Sequence, residues 1–262
     1  MKKRLITAII ALLIFIPIVI YGGNWLNGLA FLLGLIATVE ILIMDKRILV
    51  SPEAIIAYAA VLILIAPEAW YRSLPPFLNQ TFLFYLMIML LLLRMVITRN
   101  LFSFPNAGVI ALATLYVGLG FHYFINARID GIHTVFYALF IVWSTDTGAY
   151  LIGKGFGKHK LAPRISPHKT WEGSFGGSIL AMIVGTLWLY YFPIHAYSGI
   201  VMFVITIFLS IVSQFGDLVE SAIKRHYGVK DSGKILPGHG GILDRFDSLL
   251  FVLPVLHLLG II

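Results

Sequence analysis

The stretch MKKRLITAIIALLIFIPIVIYGG covers Met1–Gly23 and indicates which kind of fold the chain adopts. Its basic tip precedes an apolar run that is longer than the core of an ordinary signal peptide, and no small-x-small cleavage site follows. A helix needs about 20 predominantly apolar residues to cross a bilayer. We therefore expect this stretch to be retained as a first membrane-spanning helix.

The composition of the whole chain agrees with that expectation. Of 262 residues, 60% are hydrophobic and 12% are charged, which is about half the charged fraction of a soluble domain. The chain has no cysteine, so disulfides, thiolate metal sites and cysteine nucleophiles are excluded. The net charge of +7 is typical of a membrane protein that faces anionic headgroups. We therefore expect no nucleic-acid partner.

Nine segments are apolar enough to be candidate spans. Backbone polar groups cannot stay unpaired in lipid, so each segment is expected to be a helix. We predict an all-α, polytopic integral membrane protein with about nine transmembrane helices and a single membrane domain over residues 1–262. Its N-terminal half (1–130) would hold spans with short loops, and its C-terminal half (131–262) the polar motifs. The nine segments are residues 4–22, 25–44, 51–67, 81–98, 107–125, 132–152, 174–192, 198–215 and 247–262.

The basic residues predict the orientation. If the N-terminus is cytoplasmic and the sides alternate, sixteen of the nineteen Lys and Arg residues fall on the cytoplasmic side. Only Arg72 and Arg128 fall on the far side, and Arg94 lies inside a span. Cytoplasmic loops carry an excess of Lys and Arg. We therefore predict a multi-pass protein of the cell inner (plasma) membrane, in which two polar loops, 153–173 and 216–246, face the cytoplasm.

The first polar constellation is WSTDTGAYLIGKGFGKHKLAPRISPHKTWEGSFGG, Trp143–Gly177. Asp146 lies near the end of a predicted span, where an acidic side chain is costly and commonly functional. Ser166 and Lys169 lie just before a new helix, and a helix N-terminus favours an anion. An ordinary basic loop with an interfacial acid is the alternative interpretation.

The second constellation is SQFGDLVESAIKRHYGVKD, Ser213–Asp231. The side chains that follow helical spacing are Asp217, Glu220, Ser221 and Lys224, so one helical face carries carboxylate and ammonium groups in succession. A solvated amphipathic helix is the alternative, and its exposed ion pairs would contribute only about 0.3–0.5 kcal/mol each. The position of Asp217 at the end of an apolar run favours a functional site.

The third constellation is KDSGKILPGHGGILDRFDSLLF, Lys230–Phe251. Asp244 and Asp247 lie three residues apart at the start of the last candidate span, so they share a helical face. The preceding PGHGG, Pro237–Gly241, predicts a tight and flexible loop. Within it, His239 could be a phosphate contact, a proton carrier or only a loop residue.

Four aspartates of these constellations fall at predicted cytoplasmic helix ends: Asp146, Asp217, Asp244 and Asp247. Mg²⁺ prefers oxygen ligands, usually one or two carboxylates together with substrate phosphates. Carboxylates beside lysines and glycine-rich loops therefore indicate a metal-assisted phosphoryl or nucleotidyl transfer site. The chain contains no Walker A motif and no HExxH or cysteine-based zinc pattern.

The segment SAIKRHYGVKDSGKILPGHGGILDRFD, Ser221–Asp247, closely resembles the signature of phosphatidate cytidylyltransferases, the CDP-diacylglycerol synthases. The pattern S-x-x-K-R-x₄-K-D-x-G-x₃-P-G-H-G-G-x-x-D-R-x-D is matched without a departure. The upstream DTGAYLIGKGFGKHKL and ISPHKTWEG are similar to that family as well. The N-terminal half resembles it only in hydropathy.

This resemblance implies a helical membrane enzyme whose active site opens toward the cytoplasm. It would convert CTP and phosphatidic acid of the membrane to CDP-diacylglycerol and pyrophosphate with Mg²⁺ as cofactor, and a homodimer is left open. The implied catalytic residues are Asp217, Asp244, Lys224 and Asp247, and the implied metal ligands are Asp217 and Asp244, followed by Asp247 and Asp146. The implied substrate-binding residues are Ser166, Lys169, Ser221, Arg225, Lys230, Asp231, His239, Gly240, Gly241 and Arg245.

Three other functions fit part of the pattern. A transporter or flippase for a phosphorylated lipid would distribute polar residues through the depth of its spans, whereas here they gather on one side. A transferase that uses CDP-diacylglycerol resembles D-G-x₂-A-R-x₈-G-x₃-D-x₃-D, which this chain lacks. A lipid kinase would release a nucleoside diphosphate instead of pyrophosphate.

Two further charges, Glu40 and Arg94, lie within candidate spans. Charged side chains in a membrane are usually paired or functional. We expect each of them either to pair with another helix or to line a path for substrate.

Overall fold

The structure is a computed structural model that describes residues 2–194 and 196–262, with side chains from residue 6 onward. The basic tip Lys2, Lys3 and Arg4, which contributed to the predicted orientation, therefore has its side chains outside the described residues. The helices in these ranges are α1 (Lys2–Tyr21), α2 (Gly23–Met44), α3 (Pro52–Ile65), α4 (Glu68–Tyr71), α5 (Gln80–Ile97), α6 (Phe104–Asp130), α7 (Ile132–Phe156), α8 (Trp171–Tyr191), α9 (Gly199–His226) and α10 (Leu243–Leu258).

Six of these helices are long and apolar enough to cross a membrane, namely α2, α5, α6, α7, α8 and α9. Each of the nine predicted segments coincides with a helix, which confirms the helical membrane class. The apolar part Ile6–Tyr21 of α1 and the helix α3 are shorter than a span, and α10 has only 16 residues. Nine crossings therefore stay a prediction.

The polar loops are more structured than the sequence indicated. Residues 160–170 form an antiparallel hairpin of β1 (Lys160–Ala162) and β2 (Ser166–Thr170), which an all-α prediction missed. The helix α9 continues to His226, well beyond the predicted end at residue 215, because its polar residues keep helical spacing after the apolar run ends. The predicted loop 216–246 is therefore helical over its first third.

The chain folds into two compact units. The first comprises residues 1–126 and 232–243, and the second comprises residues 127–231 and 244–262. The core of the first unit includes Leu42, Ala54, Leu91 and Ile110 from four different helices. The single membrane domain over residues 1–262 stays a prediction.

The intramembrane Arg94 has a partner within the first unit. Its Nε donates to Oε2 of Glu53 in α3 across 3.3 Å. Both side chains are mostly withdrawn from the surface, so each charge compensates the other in a poorly polar setting. Of the two roles expected for Arg94, the structure supports pairing with another helix.

The second unit is built around the close packing of α7 against α8. Gly173, Gly177, Ala181 and Gly185 recur every four residues along α8 and are all buried. A Cβ added at Gly177 would lie 2.6 Å from the backbone oxygen of Thr145 in α7. Small residues that let helix backbones approach are typical of helix interfaces in membranes.

We expect Gly177→Ala to lower the melting temperature of the detergent-solubilised protein. The added methyl meets a backbone atom that cannot rotate away, and overpacking of this kind costs about 1–3 kcal/mol. The matched control is Gly155→Ala on α7, where an added Cβ would have no neighbour within 4 Å. Equal melting temperatures for the two variants, measured by intrinsic fluorescence, would contradict the close packing of α7 and α8.

A chain of buried and half-buried hydroxyl and amide groups also connects three helices of the second unit. The hydroxyls of Thr145 in α7 and Ser210 in α9 lie 2.8 Å apart. Ser210 donates to Ser178 of α8 across 3.3 Å, and Gln214 Nε2 donates to the same Ser178 across 3.1 Å. These bonds satisfy polar groups that would otherwise be costly inside the bilayer. They hold the parts of α7 and α9 from which two of the candidate aspartates project.

Candidate active site

Asp217 is the centre of a first charged contact in the second unit. The ammonium of Lys169, at the end of β2, lies 2.6 Å from Oδ2 of Asp217 in α9. One helical turn later, the hydroxyl of Ser221 donates to Oδ1 of the same carboxylate across 3.3 Å. The hairpin therefore brings a lysine to a carboxylate that is 48 positions away in the chain.

The position of Lys169 follows from the helix that begins beside it. Thr170 is the N-cap of α8, and its hydroxyl accepts a hydrogen bond from the N–H of Gly173 across 3.1 Å. Capping hydroxyls stabilise a helix start by about 1 kcal/mol. Since β2 runs directly into this cap, Lys169 is held at a defined place where strand and helix meet.

Lys224 forms the second charged contact. Its ammonium lies 2.6 Å from Oδ1 of Asp244 and also forms an ion pair with Glu220, one helical turn before it in α9. The side chains of Lys224, Asp244 and Glu220 are only 12%, 6% and 1% exposed. Two acidic side chains therefore share one ammonium group in a largely buried environment.

Asp146 and Asp247 complete the acidic cluster. The Asp247 carboxylate interacts electrostatically with the negative charges of both Asp217 and Asp146, and Lys169 and Arg245 offset part of the charge near Asp146. Gly216, immediately before Asp217, permits this proximity because an added Cβ would lie 2.9 Å from the backbone oxygen of Asp247. Like charges repel, and a cation near these carboxylates would offset that repulsion.

Arg225 makes contacts other than the predicted one. Its Nε donates to the backbone oxygen of Ile165 in the hairpin across 3.2 Å, and its Nη1 donates to that of Val229 across 2.8 Å. These bonds tie the hairpin to the end of α9. The predicted phosphate contact of Arg225 stays a prediction, whereas its structural contacts are present.

The motif residues 232–243, which we call the Gly-rich loop, belong to the first unit. Leu236 and Gly240 pair across a tight turn, with the Leu236 N–H donating to the Gly240 oxygen across 3.0 Å. Gly238 and Gly240 have φ values of +79° and +84°, a conformation that side chains rarely adopt. His239 lies between them and is half-buried.

The remaining predicted site residues are Ser166, Lys230, Asp231 and Arg245. Lys230, Asp231 and Arg245 are exposed, and Ser166 is half-buried in β2 next to its pairing partner Ala162. Their roles in substrate binding stay predictions.

The donor set is compatible with a hard divalent cation. Among the residues that the structure describes, no group of three or more His, Cys, Asp or Glu side chains is arranged to hold a metal ion. Asp217 and Asp244 each contact a lysine ammonium instead. Mg²⁺ usually takes only one or two carboxylates, with phosphates and water supplying the other ligands. The residues therefore fit Mg²⁺ if substrate phosphates complete the coordination.

Two acidic residues were not among the predicted catalytic, metal-binding or substrate-binding residues. Glu220 contacts Lys224, and the sequence placed it on the same helical face without assigning it a role. Glu40 accepts hydrogen bonds from the Gly-rich loop. No local pattern could have shown that contact, because about 200 residues separate the partners.

Comparison with known proteins identifies the family of this chain. The model of the cytidylyltransferase family matches residues 2–262. The chain is 48% identical to a phosphatidate cytidylyltransferase of Staphylococcus haemolyticus, over 99% of this chain and 98% of that protein. Proteins of the same name from Staphylococcus aureus and Staphylococcus epidermidis are 46% and 47% identical, with the same coverage. The chain therefore belongs to the cytidylyltransferase family.

Proposed function

We propose that the chain is a phosphatidate cytidylyltransferase, which makes CDP-diacylglycerol and pyrophosphate from CTP and phosphatidic acid in phospholipid synthesis. The observation that carries the proposal is the pair of lysine–aspartate contacts, Lys169–Asp217 and Lys224–Asp244, each at 2.6 Å. These residues lie in or beside segments that resemble the family signature. The relatives named phosphatidate cytidylyltransferase match nearly the whole chain.

The reaction is an in-line displacement at the α-phosphorus of CTP. A phosphate oxygen of phosphatidic acid forms the new P–O bond, and the bond between the α-phosphorus and the bridging oxygen to the β-phosphate breaks. An ionised phosphate monoester is itself a nucleophile, so no strong general base is needed. Pyrophosphate leaves with additional negative charge, which nearby cations must stabilise.

Lys169 and Lys224 are the cations best placed to stabilise that charge. In the structure each ammonium neutralises a carboxylate, and each could instead contact a substrate phosphate once a metal occupies the carboxylate. Asp217 and Asp244 would hold Mg²⁺, with Asp247 and Asp146 beside them. When bound, Mg²⁺ would offset the repulsion between the two anionic substrates and polarise the reacting phosphate.

We also propose nine membrane crossings, a cytoplasmic N-terminus and a location in the bacterial plasma membrane. The distribution of Lys and Arg supports the orientation, and the bacterial relatives support the setting. In that orientation the late part of α9 and the start of α10 lie at the cytoplasmic face. This placement suits a reaction between a water-soluble nucleotide and a lipid, because the two can meet only at the interface.

The proposal predicts pyrophosphate release that requires three components together. Purified protein in detergent should release pyrophosphate with CTP, phosphatidic acid and Mg²⁺, and much less when any one of them is omitted or when ATP, GTP or UTP replaces CTP. A coupled phosphate assay measures the release, and chromatography of the lipid product identifies CDP-diacylglycerol. Release of a nucleoside diphosphate would indicate a kinase. No release from folded protein would favour a transporter.

A further inference from the structure

Glu40 is a buried carboxylate far from the signature in sequence. It lies near the end of α2, is 1% exposed, and belongs to the first unit together with the Gly-rich loop. Its Oε1 accepts from the N–H of Ile242 across 2.8 Å, and its Oε2 accepts from the N–H of Leu243 across 2.9 Å. The hydroxyl of Ser232 also donates to Oε2, across 3.1 Å. Both ends of the Gly-rich loop are therefore held by one side chain.

The carboxylate replaces a local helix cap. The first N–H groups of a helix have no intrahelical acceptor and are usually satisfied by Ser, Thr, Asp or Asn at the N-cap. Here α10 begins at Leu243 and follows Gly240, Gly241 and Ile242, none of which has a side-chain acceptor. Glu40 supplies the acceptor, and its negative charge suits the positive end of the helix dipole.

Two glycines of the loop are required by the same carboxylate. A Cβ added at Gly233 would lie 2.5 Å from Glu40 Oε1, 2.9 Å from Cδ and 3.0 Å from Cγ. A Cβ added at Gly241 would collide with Glu40 Oε1 and with the hydroxyl of Ser232. Neither glycine has a positive φ. At these two positions, glycine is explained by the space that the Glu40 side chain occupies, and no special backbone conformation is needed.

We propose that Glu40 is a positioning residue that fixes the start of α10 and thereby places Asp244 for the reaction. Leu243, whose N–H is held by Glu40, is the chain neighbour of Asp244. A shift of about 1 Å in a reacting group can reduce a rate on the order of 10²-fold. Burying a carboxylate is costly unless its hydrogen bonds are satisfied. An apolar side chain would fill the same space at lower cost, so packing alone does not explain a glutamate at this position. This inference rests on the proposed function only for its activity measurements.

The first test compares Glu40→Ala and Glu40→Gln with Glu53→Gln. Glu53 is a matched control because it is another glutamate on a helix of the first unit and pairs with Arg94 of α5. We expect kcat per folded molecule to fall on the order of 10²-fold in Glu40→Ala, with the KM for CTP within about threefold because the shift acts through Asp244. The kcat of Glu40→Gln should lie between those of Glu40→Ala and the wild type. The remaining carbonyl oxygen still accepts a hydrogen bond, while the new NH₂ group faces an N–H donor.

The concentration of Mg²⁺ needed for half-maximal rate separates positioning from general stability. A displaced Asp244 should raise that concentration in Glu40→Ala, whereas mere loss of folded protein would leave it unchanged. Wild-type kcat and Mg²⁺ dependence in Glu40→Ala would overturn the inference while leaving the proposed function intact.

A second test does not depend on activity. Amide hydrogen exchange of peptides covering residues 240–246 should accelerate in Glu40→Ala and stay unchanged in Glu53→Gln. Gly233→Ala should lower the melting temperature in the wild-type background and do so much less in the Glu40→Ala background, because the atoms it meets are gone. Unchanged exchange, or the same thermal cost in both backgrounds, would overturn the inference even if the wild-type protein proved to have another activity.

Discussion

Asp244→Ala is expected to reduce CDP-diacylglycerol formation on the order of 10³-fold or more while the protein stays folded. Asp244 lies 2.6 Å from the Lys224 ammonium and is 6% exposed, so its charge acts in a poorly screened environment. The proposed mechanism requires this carboxylate for a cation that meets the substrate phosphates. Its removal leaves Lys224 paired with Glu220, so the fold does not acquire an isolated buried cation.

Initial rates with saturating CTP and phosphatidic acid provide the measurement, together with the melting temperature of each variant. Asp45→Ala is a suitable control, because Asp45 is also an acid at a helix end and pairs with Arg47. That variant should retain close to full activity. Near-wild-type turnover in Asp244→Ala would remove this aspartate from the mechanism and would require a different metal ligand.

Lys224→Ala is the second change with a large expected effect, and it acts on both stability and turnover. It leaves the carboxylates of Glu220 and Asp244 buried without their shared cation. Breaking a buried ion pair by removing one partner costs about 3–5 kcal/mol, because the remaining charge is uncompensated. Turnover should fall on the order of 10²-fold or more, since a cation for the leaving pyrophosphate is also lost.

The double variant Lys224→Ala, Glu220→Gln separates these two effects. Replacing Glu220 by its neutral isostere removes one of the two carboxylates that lost their cation, so the melting temperature should recover part of the loss. Turnover should stay low because no ammonium is restored. Lys154→Ala, at an exposed lysine of α7, controls for loss of positive charge. Recovery of activity together with stability would mean that Lys224 serves only the fold.

The helical membrane class could be predicted from the sequence because it depends on local properties. A run of about 20 apolar residues is a helix in lipid whatever its neighbours are. All nine predicted segments are helical. The hairpin at residues 160–170 was missed because two strands of three and five residues carry almost no periodic signal.

The candidate aspartates and lysines could also be named from the sequence, through their position at apolar boundaries and their resemblance to a family signature. Which of these side chains contact one another could not be predicted from the sequence. Helical spacing predicts that Glu220 and Lys224 meet, but it does not reveal that Lys169 reaches Asp217 or that Lys224 reaches Asp244. Those contacts depend on how the hairpin and α10 pack against α9.

The sequence by itself thus determined the membrane class and the identity of the charged residues, since both follow from nearby residue types, whereas the orientation stays a prediction. Only the tertiary structure decided which charged side chains contact one another. It also explains why a side chain cannot be accommodated at two glycines of the signature. The sequence around Gly233 and Gly241 predicts a flexible loop. In the structure these glycines leave room for Glu40, which is about 200 residues away along the chain. Contacts of this kind are set by the packing of distant segments, and packing leaves no mark on the local pattern of residues.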